Sequence, residues 1–418
     1  GVLQRVDVVA DGGSSLYGAN AVTGVLNFIT RTSYAGFQAS VSEGFADGYN
    51  AFDGNVMAGK EWSSGDVYMA FEHKSNTPLF NGDRDYLRQT YLSNRDSRSS
   101  SCYLPNITVS TNTNYAINSL PSNTPGALKA NTTGPFGKLD PTTNTGQFNR
   151  CDTSLNTTLV SKEEADSVFM GFRQNLTEDV VFSAKAIWST RIESQAANQL
   201  TYSGTIDTSN PYFQSLNGET AQTVQFSFSP YLGTSSYTNR PFMEVIQVTP
   251  EVTAKLPWGD WEATVTGNYG RSFSDSFARL VNTTAASMAM SQTFADPART
   301  IPTSPALFAS PTTGNALDPY NVALTNPTLL NEILNFGQYG KATQHQLQLQ
   351  ANFDGSLFDI WGGAVKAVIG GKYSMEDFVS QWDINVPIGQ QSGAAIPGYQ
   401  FIFRRTHPIP KSVFAEVA

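Results

Sequence analysis

The residues with chemistry to offer are three histidines, two cysteines and a scatter of loop aromatics, and they do not assemble into a reactive centre. His73, His345 and His407 stand apart from one another and from carboxylate clusters, so they read as surface residues rather than metal ligands. His345 opens an alternating His-Gln-Leu-Gln run and is expected on the polar side of its strand. Cys102 and Cys151 share one polar stretch. A structural zinc needs four ligands, so a loop disulfide is favoured over two free thiols, which implies an oxidising compartment. No Gly-x-Ser-x-Gly follows a strand, and the Gly12–Gly18 turn lacks the lysine of a phosphate loop. With no nucleophile, base and orienting acid in sight, the expectation is a protein that is not an enzyme and needs no metal or cofactor. The Asn-x-Thr triplets at Asn106, Asn131, Asn156, Asn175 and Asn282 follow from an Asn/Thr-rich composition. Tyr202, Tyr212, Phe213, Tyr231, Tyr237, Tyr320 and Phe336 sit in loop sequence and are the candidate ligand-binding residues, since their rings can stack on sugars, chelates or aromatic ligands. Loop packing is the competing role for each.

The elements that must position these residues are strands. Only 15% of the 418 residues are charged, well below the ~25% of soluble domains. Net charge is −9 and the basic residues are scattered, which excludes nucleic acid as a partner. No apolar run approaches eighteen residues, so no helix spans a membrane, but barrel strands show only ~10-residue alternating segments. About ten such segments can be placed from Tyr34 onward. In one of them Val248, Val252 and Ala254 oppose Thr249, Glu251 and Thr253; in another Leu347, Leu349, Ala351 and Phe353 oppose Gln346, Gln348, Gln350 and Asn352.

Period two alone does not say which face meets solvent. Two further features decide. Short turns (63–65, 177–179, 257–260 and 355–363) alternate with long, irregular polar stretches at about 77–165, 192–241, 276–341 and 379–410, as in an outer-membrane barrel. Four of six tryptophans (Trp62, Trp258, Trp261 and Trp361) lie beside the short turns, the place of an interfacial aromatic girdle. The fold class expected is therefore all-β: a transmembrane antiparallel up-and-down barrel with its apolar sides toward lipid. The chain opens without a signal peptide and stops inside an alternating segment, so both ends are read as truncated.

The opening segment, LQRVDVVADGGSSLYGANAVTGVLNFITR, resembles the end of the plug domain of TonB-dependent outer-membrane receptors. The resemblance is carried by a strand of the RVDVV type, a small-residue turn, SLYGANAVTGV and the closing strand LNFITR, followed at once by the barrel pattern. Where many members have a basic residue before Gly-Pro in the plug turn, this chain has Ala10-Asp11-Gly12-Gly13, so plug–wall charge pairs are not carried over. The resemblance implies a plug end at 1–32 and a barrel beginning at 33–418, with about ten of roughly twenty-two strands present. It implies active uptake of a scarce nutrient (iron chelate, vitamin or oligosaccharide) across the outer membrane of a Gram-negative bacterium. The implied partners are an inner-membrane energy-coupling protein of the TonB complex, reached through the absent N-terminus, outer-membrane lipid, and a small-molecule or oligosaccharide ligand. A passive porin or a surface adhesin on the same wall is the alternative, and a porin would lack the plug segment. A soluble β-rich carbohydrate enzyme ranks third, for want of paired carboxylates.

Overall fold

The computed structural model describes residues 1–9, 25–87, 91–92, 95–96, 98–110, 113–116, 149–196, 199–216, 218–233, 238–291, 312, 314–386 and 400–417. In chain order the elements used below are β1 (Leu3–Val9), β2 (Val25–Thr30), β3 (Gly36–Ala46), β4 (Tyr49–Trp62), β5 (Gly65–Asn76), β6 (Asn106–Ser110) and β7 (Thr113–Ala116). There follow β8 (Lys162–Asn175), β9 (Val180–Ala196), β10 (Thr201–Asp207), β11 (Ala221–Ser227), β12 (Phe242–Lys255), β13 (Glu262–Arg279), α1 (Thr283–Met290) and α2 (Pro327–Leu334). The chain closes with β14 (Gly337–Ile360), β15 (Gly363–Val386) and β16 (Gln400–Val417).

Ten strands form one antiparallel wall in simple next-neighbour order, β3-β4-β5-β8-β9-β12-β13-β14-β15-β16. Up-and-down order follows from the connections. Two residues, Asp47 and Gly48, join β3 to β4, and Gly48 takes the left-handed φ of +73° that so tight a turn needs. The turns after β4, β8, β12 and β14 are also short and, by antiparallel order, share one end of the wall. The small-residue turn and all but the last residue of SLYGANAVTGV lie outside the described residues.

Strand pairing puts register partners on one face, so each side of the wall can be followed across the sheet. One side carries Phe37, Val41, Met69, Phe71, Met170, Val248, Val252, Val265, Leu347, Leu349, Phe353 and Ile369, all exposed. Phe37 and Val41 are more than 70% exposed, a state that water would penalise over so continuous a patch. On β12 this face is apolar from Ala254 to Ile246 and becomes charged at Glu244. Eight steps of ~3.4 Å at a ~40° tilt give a belt ~21 Å tall, close to the ~25 Å apolar band of a membrane barrel. Polar pairs border it above, a His73 Nδ1–Asp166 Oδ1 hydrogen bond at 2.8 Å and an Arg271–Glu244 ion pair at 3.4 Å. Exposed Trp62, Trp258 and Trp361 lie at the short-turn end, while Trp261 lies over Gly355 and donates from Nε1 to Ser356 O at 3.0 Å.

The opposite face is polar and partly exposed. Lys74 reaches Glu72 at 3.1 Å and Asp53 at 3.4 Å, Arg191 lies 2.8 Å from Glu163, and Thr266 donates to Glu251 at 2.9 Å. Against this face rests the base of the β1–β2 hairpin, where Val2 and Tyr34 pack on buried Met57, Tyr68 and Phe169.

Two expectations need correction. The strands run past the apolar belt: β9 reaches Ala196, β13 reaches Arg279, and β14 begins at Gly337, so the long connections are shorter than the sequence pattern set them. Inter-strand hydrogen bonds continue where apolar alternation has stopped. His345 pairs in register with Arg271 and shares the face of Leu347 and Leu349, with its Nδ1 3.4 Å from the Tyr269 hydroxyl. It caps the apolar side instead of facing the polar one.

Candidate functional site

The connections at the end of the wall opposite the short turns build a second structure. After β5 the chain supplies β6 and β7, after β9 it supplies β10 and β11, and these make one four-stranded sheet in the order β7-β6-β11-β10. The connection after β13 adds α1 and α2. Local signals explain both helices. Asn282 caps α1 by accepting from Ala285 N at 3.0 Å, and Asn326 caps α2 from Thr328 N at 2.9 Å, with Pro327 in its first turn.

The main dry core of the described residues lies here rather than in the wall. Ile107, Ile206, Val224 and Phe226 of the sheet pack on Ala285, Ala289 and Met290 of α1 and on Leu330, Ile333 and Leu334 of α2. Stretches that read as irregular loops in the sequence are thus a cap with a sealed interior. Each connection alone is too short of apolar residues to bury a core; three together are not.

Polar ties cross between the three connections. The Asn210 amide donates to the carbonyls of Ala289 and Met290 at 3.1 Å and of Leu317 at 3.2 Å, closing the end of α1. Asp207 accepts from the Ser209 and Ser291 hydroxyls; burial pushes its pKa up, but these donors outweigh burial and hold it below the usual value. Asp318 is driven the other way, to about 6, because burial outweighs the Tyr320 and Asn321 amides at 3.0 and 3.1 Å on its Oδ1. Cys102 and Cys151 are joined in a disulfide, Cα–Cα 5.8 Å, and the Cys102 carbonyl accepts from Ser227 N of β11 at 3.1 Å. The bridge closes the first connection on itself, and the Ser227 amide ties it to the second.

The candidate aromatics fall into this arrangement unevenly. Tyr320 is 1% exposed and its hydroxyl donates to Gln222 Oε1 at 2.7 Å, with burial pushing its pKa up. That is a correction: a ring sealed in the cap core, its hydroxyl already engaged, has no face left for a ligand. Tyr202, Tyr212 and Phe213 are half-buried against the same core, and Tyr202 donates to Thr283 O at 3.3 Å. Phe336 is half-buried, its carbonyl accepting from Leu280 N at 3.0 Å. Tyr231 is exposed on the helical turn Ser229–Leu232, and Tyr237 lies outside the described residues. The acid-lined upper part of the polar face, with Asp53, Glu72, Glu163 and Glu193, was not singled out from sequence, although the alternation carried its signal.

No family model and no curated protein matches the chain. Solved structures do. Three receptors are among them. The ferric yersiniabactin uptake receptor FyuA of Yersinia pestis matches at 9% identity with a TM-score of 0.42, covering 100% of this chain and 49% of that one. The ferric-catecholate import receptor Fiu of E. coli K12 matches at 12% and 0.38 in its open form, covering 57% of the receptor. The siderophore receptor PiuA of Acinetobacter baumannii matches at 10% and 0.36, covering 51%. The chain spans about half the length of the receptors it matches. At these identities and scores the likeness carries no argument, and the functional reading rests on this chain's own geometry.

Proposed function

We propose that the chain belongs to a TonB-dependent receptor of the outer membrane, with residues 1–32 the end of its plug and 33–418 the first part of its barrel. One observation carries this reading. In the ten-stranded wall the described side chains of one face form an apolar belt, of membrane height on β12, while the N-terminal hairpin rests by its base on the opposite, polar face. A passive porin has no use for such a segment, and a water-soluble sheet would cover its apolar side. The receptor takes up a scarce nutrient, an iron chelate, vitamin or oligosaccharide, held between the cap and the polar face of the wall. Outer-membrane lipid surrounds the belt, and the TonB complex supplies the pull on the plug. Exposed Tyr231 and half-buried Phe336 stay as ring contacts for the cargo; Tyr202, Tyr212 and Phe213 are held mainly by the cap core.

The test is growth of a strain carrying the full-length gene on single chelates, vitamins and oligosaccharides, with and without the energy-coupling protein. Growth on one nutrient that vanishes without the coupling protein is expected. Equal growth in both backgrounds would mark a passive pore and overturn the proposal.

A further inference from the structure

The β1–β2 hairpin touches the wall very unevenly. Toward its tip Val8, Leu26 and Phe28 are each more than 60% exposed. At its base the contact is close. Gly59, Tyr68 and Gly171 form one cross-strand row on β4, β5 and β8, so a tyrosine stands between two glycines. A Cβ on Gly171 would lie 2.3 Å from the Tyr68 ring, and a Cβ on Gly59 would lie 2.1 Å from the carbonyl oxygen of Tyr34. The two glycines therefore form a slot. One lets the Tyr68 ring lie flat, and the other lets the chain leaving the hairpin press its backbone on the wall. Tyr68 is 1% exposed, stacks on Phe169 at 5.6 Å, and its hydroxyl donates to Arg31 O at 2.5 Å. Arg31 in turn gathers the hairpin base, donating from N to Val2 O and from Nε to Gly1 O, both at 2.9 Å.

We propose that this row is a seat: Tyr68, held by Gly59 and Gly171, fixes the segment from Arg31 to Tyr34 to the wall and sets the point at which displacement of the hairpin stops. Tyr68 is a positioning residue here and touches no cargo. The idea deepens the transport reading, since a pulled plug needs a fixed end. The hairpin above the seat has little among the described residues to hold it, whereas the seat combines a sealed aromatic pair, a buried hydrogen bond and a backbone-on-backbone contact. Local opening should therefore begin at Val8 and Leu26 and end at Arg31.

Hydrogen exchange on the full-length protein in lipid tests this without reference to transport. Tyr68→Phe keeps the ring and removes only the hydroxyl, so amides of 31–34, above all the Arg31 amide bonded to Val2 O, should exchange about tenfold faster, the effect of one hydrogen bond. Strands β4 and β5 should exchange as in the wild type. Gly59→Ala, which crowds the Tyr34 carbonyl and the Tyr68 Cβ without removing the hydroxyl, should act on the same amides. Unchanged exchange at 31–34 in both variants overturns the seat, and so does loosening spread evenly over the wall, which would mean a merely structural tyrosine. If the coupling-dependent growth fails while the local exchange result holds, the transport reading falls and the seat stands.

Discussion

The two faces of β12 offer a direct test of the membrane assignment, because adjacent residues should respond oppositely to the same side chain. Val252 is 37% exposed on the apolar side, with Phe182 and Val265 as its register partners. The belt on this strand is centred at Pro250, so Val252 lies two steps away, ~5 Å from the midplane at ~3.4 Å per residue and a ~40° tilt. An arginine there meets hydrocarbon, and the cost should be ~2–3 kcal/mol, within the ~2–4 kcal/mol range for a midplane cation. Thr253 faces the other way, with Thr264 as its register partner and Glu251 two residues off on its own face. Thr253→Arg should cost under ~1 kcal/mol, since water and a carboxylate receive it. The assay is denaturant unfolding of full-length protein refolded into lipid, followed by tryptophan fluorescence, with Val252→Leu as the neutral control. Should Thr253→Arg be the more damaging substitution, the faces are reversed and the apolar side is a dry core. The whole membrane reading would go with it.

The cap should answer to its own perturbations. Leu330→Ala removes a fully buried side chain from the core and should destabilise the cap by ~2–5 kcal/mol, seen as faster exchange across β6, β11 and α1 with the wall unchanged. Reducing the Cys102–Cys151 bridge, which closes a span of 49 residues, should weaken the cap by up to ~4 kcal/mol, read by the loss of exchange protection in β6. Asp318 supplies a pH dependence. Its folded pKa of about 6 lies above the ordinary 3.8, so the folded cap binds the extra proton between those values. Stability is then full below pH ~4 and falls as pH rises through 6, by up to ~3 kcal/mol. Asp318→Asn keeps the acceptor for the Tyr320 amide and should flatten that profile, measured as α2 exchange corrected for intrinsic rate at pH 5 and 7.

The wall was legible because its signals are local and repeated. Alternation set which residues of β12 and β14 share a face, and the short turns set the strand order. The upper strand ends were not legible, since residues 276–279 and 337–341 pair with no apolar period to mark them. His345 was assigned to the wrong side because a glutamine-rich neighbourhood outweighed its odd-numbered place beside Leu347. The cap was missed although its pieces left traces. Asn282 and Asn326 stand as helix caps, Pro327 follows the second, and Thr201–Asp207 and Ala221–Ser227 alternate in part. What no local pattern could supply was their partner, because β11 pairs with β6 across more than a hundred residues.

That comparison exposes what separates two apolar faces that look alike in sequence. Val224 and Val252 both sit in alternating strands, yet the first is completely buried and the second is exposed. The difference lies in whether the chain brings a second layer. For β11 it does: α1 and α2 arrive from the connection after β13 and close over Val224 and Phe226. The same burial takes in Gln222, a polar group that requires a partner there, and Tyr320 supplies it through its hydroxyl. For β12 no described element covers the side of Val252, and within the belt Gln247, Thr249 and Glu251 point the opposite way, into hydrogen bonds with Asn268 and Thr266. A face buried in protein can afford a Gln222 because a partner can be built. A face turned to hydrocarbon cannot, and within its ~21 Å belt β12 carries no polar side chain on that side. Strict purity of the outward face, more than its hydrophobicity, distinguishes the wall from the cap.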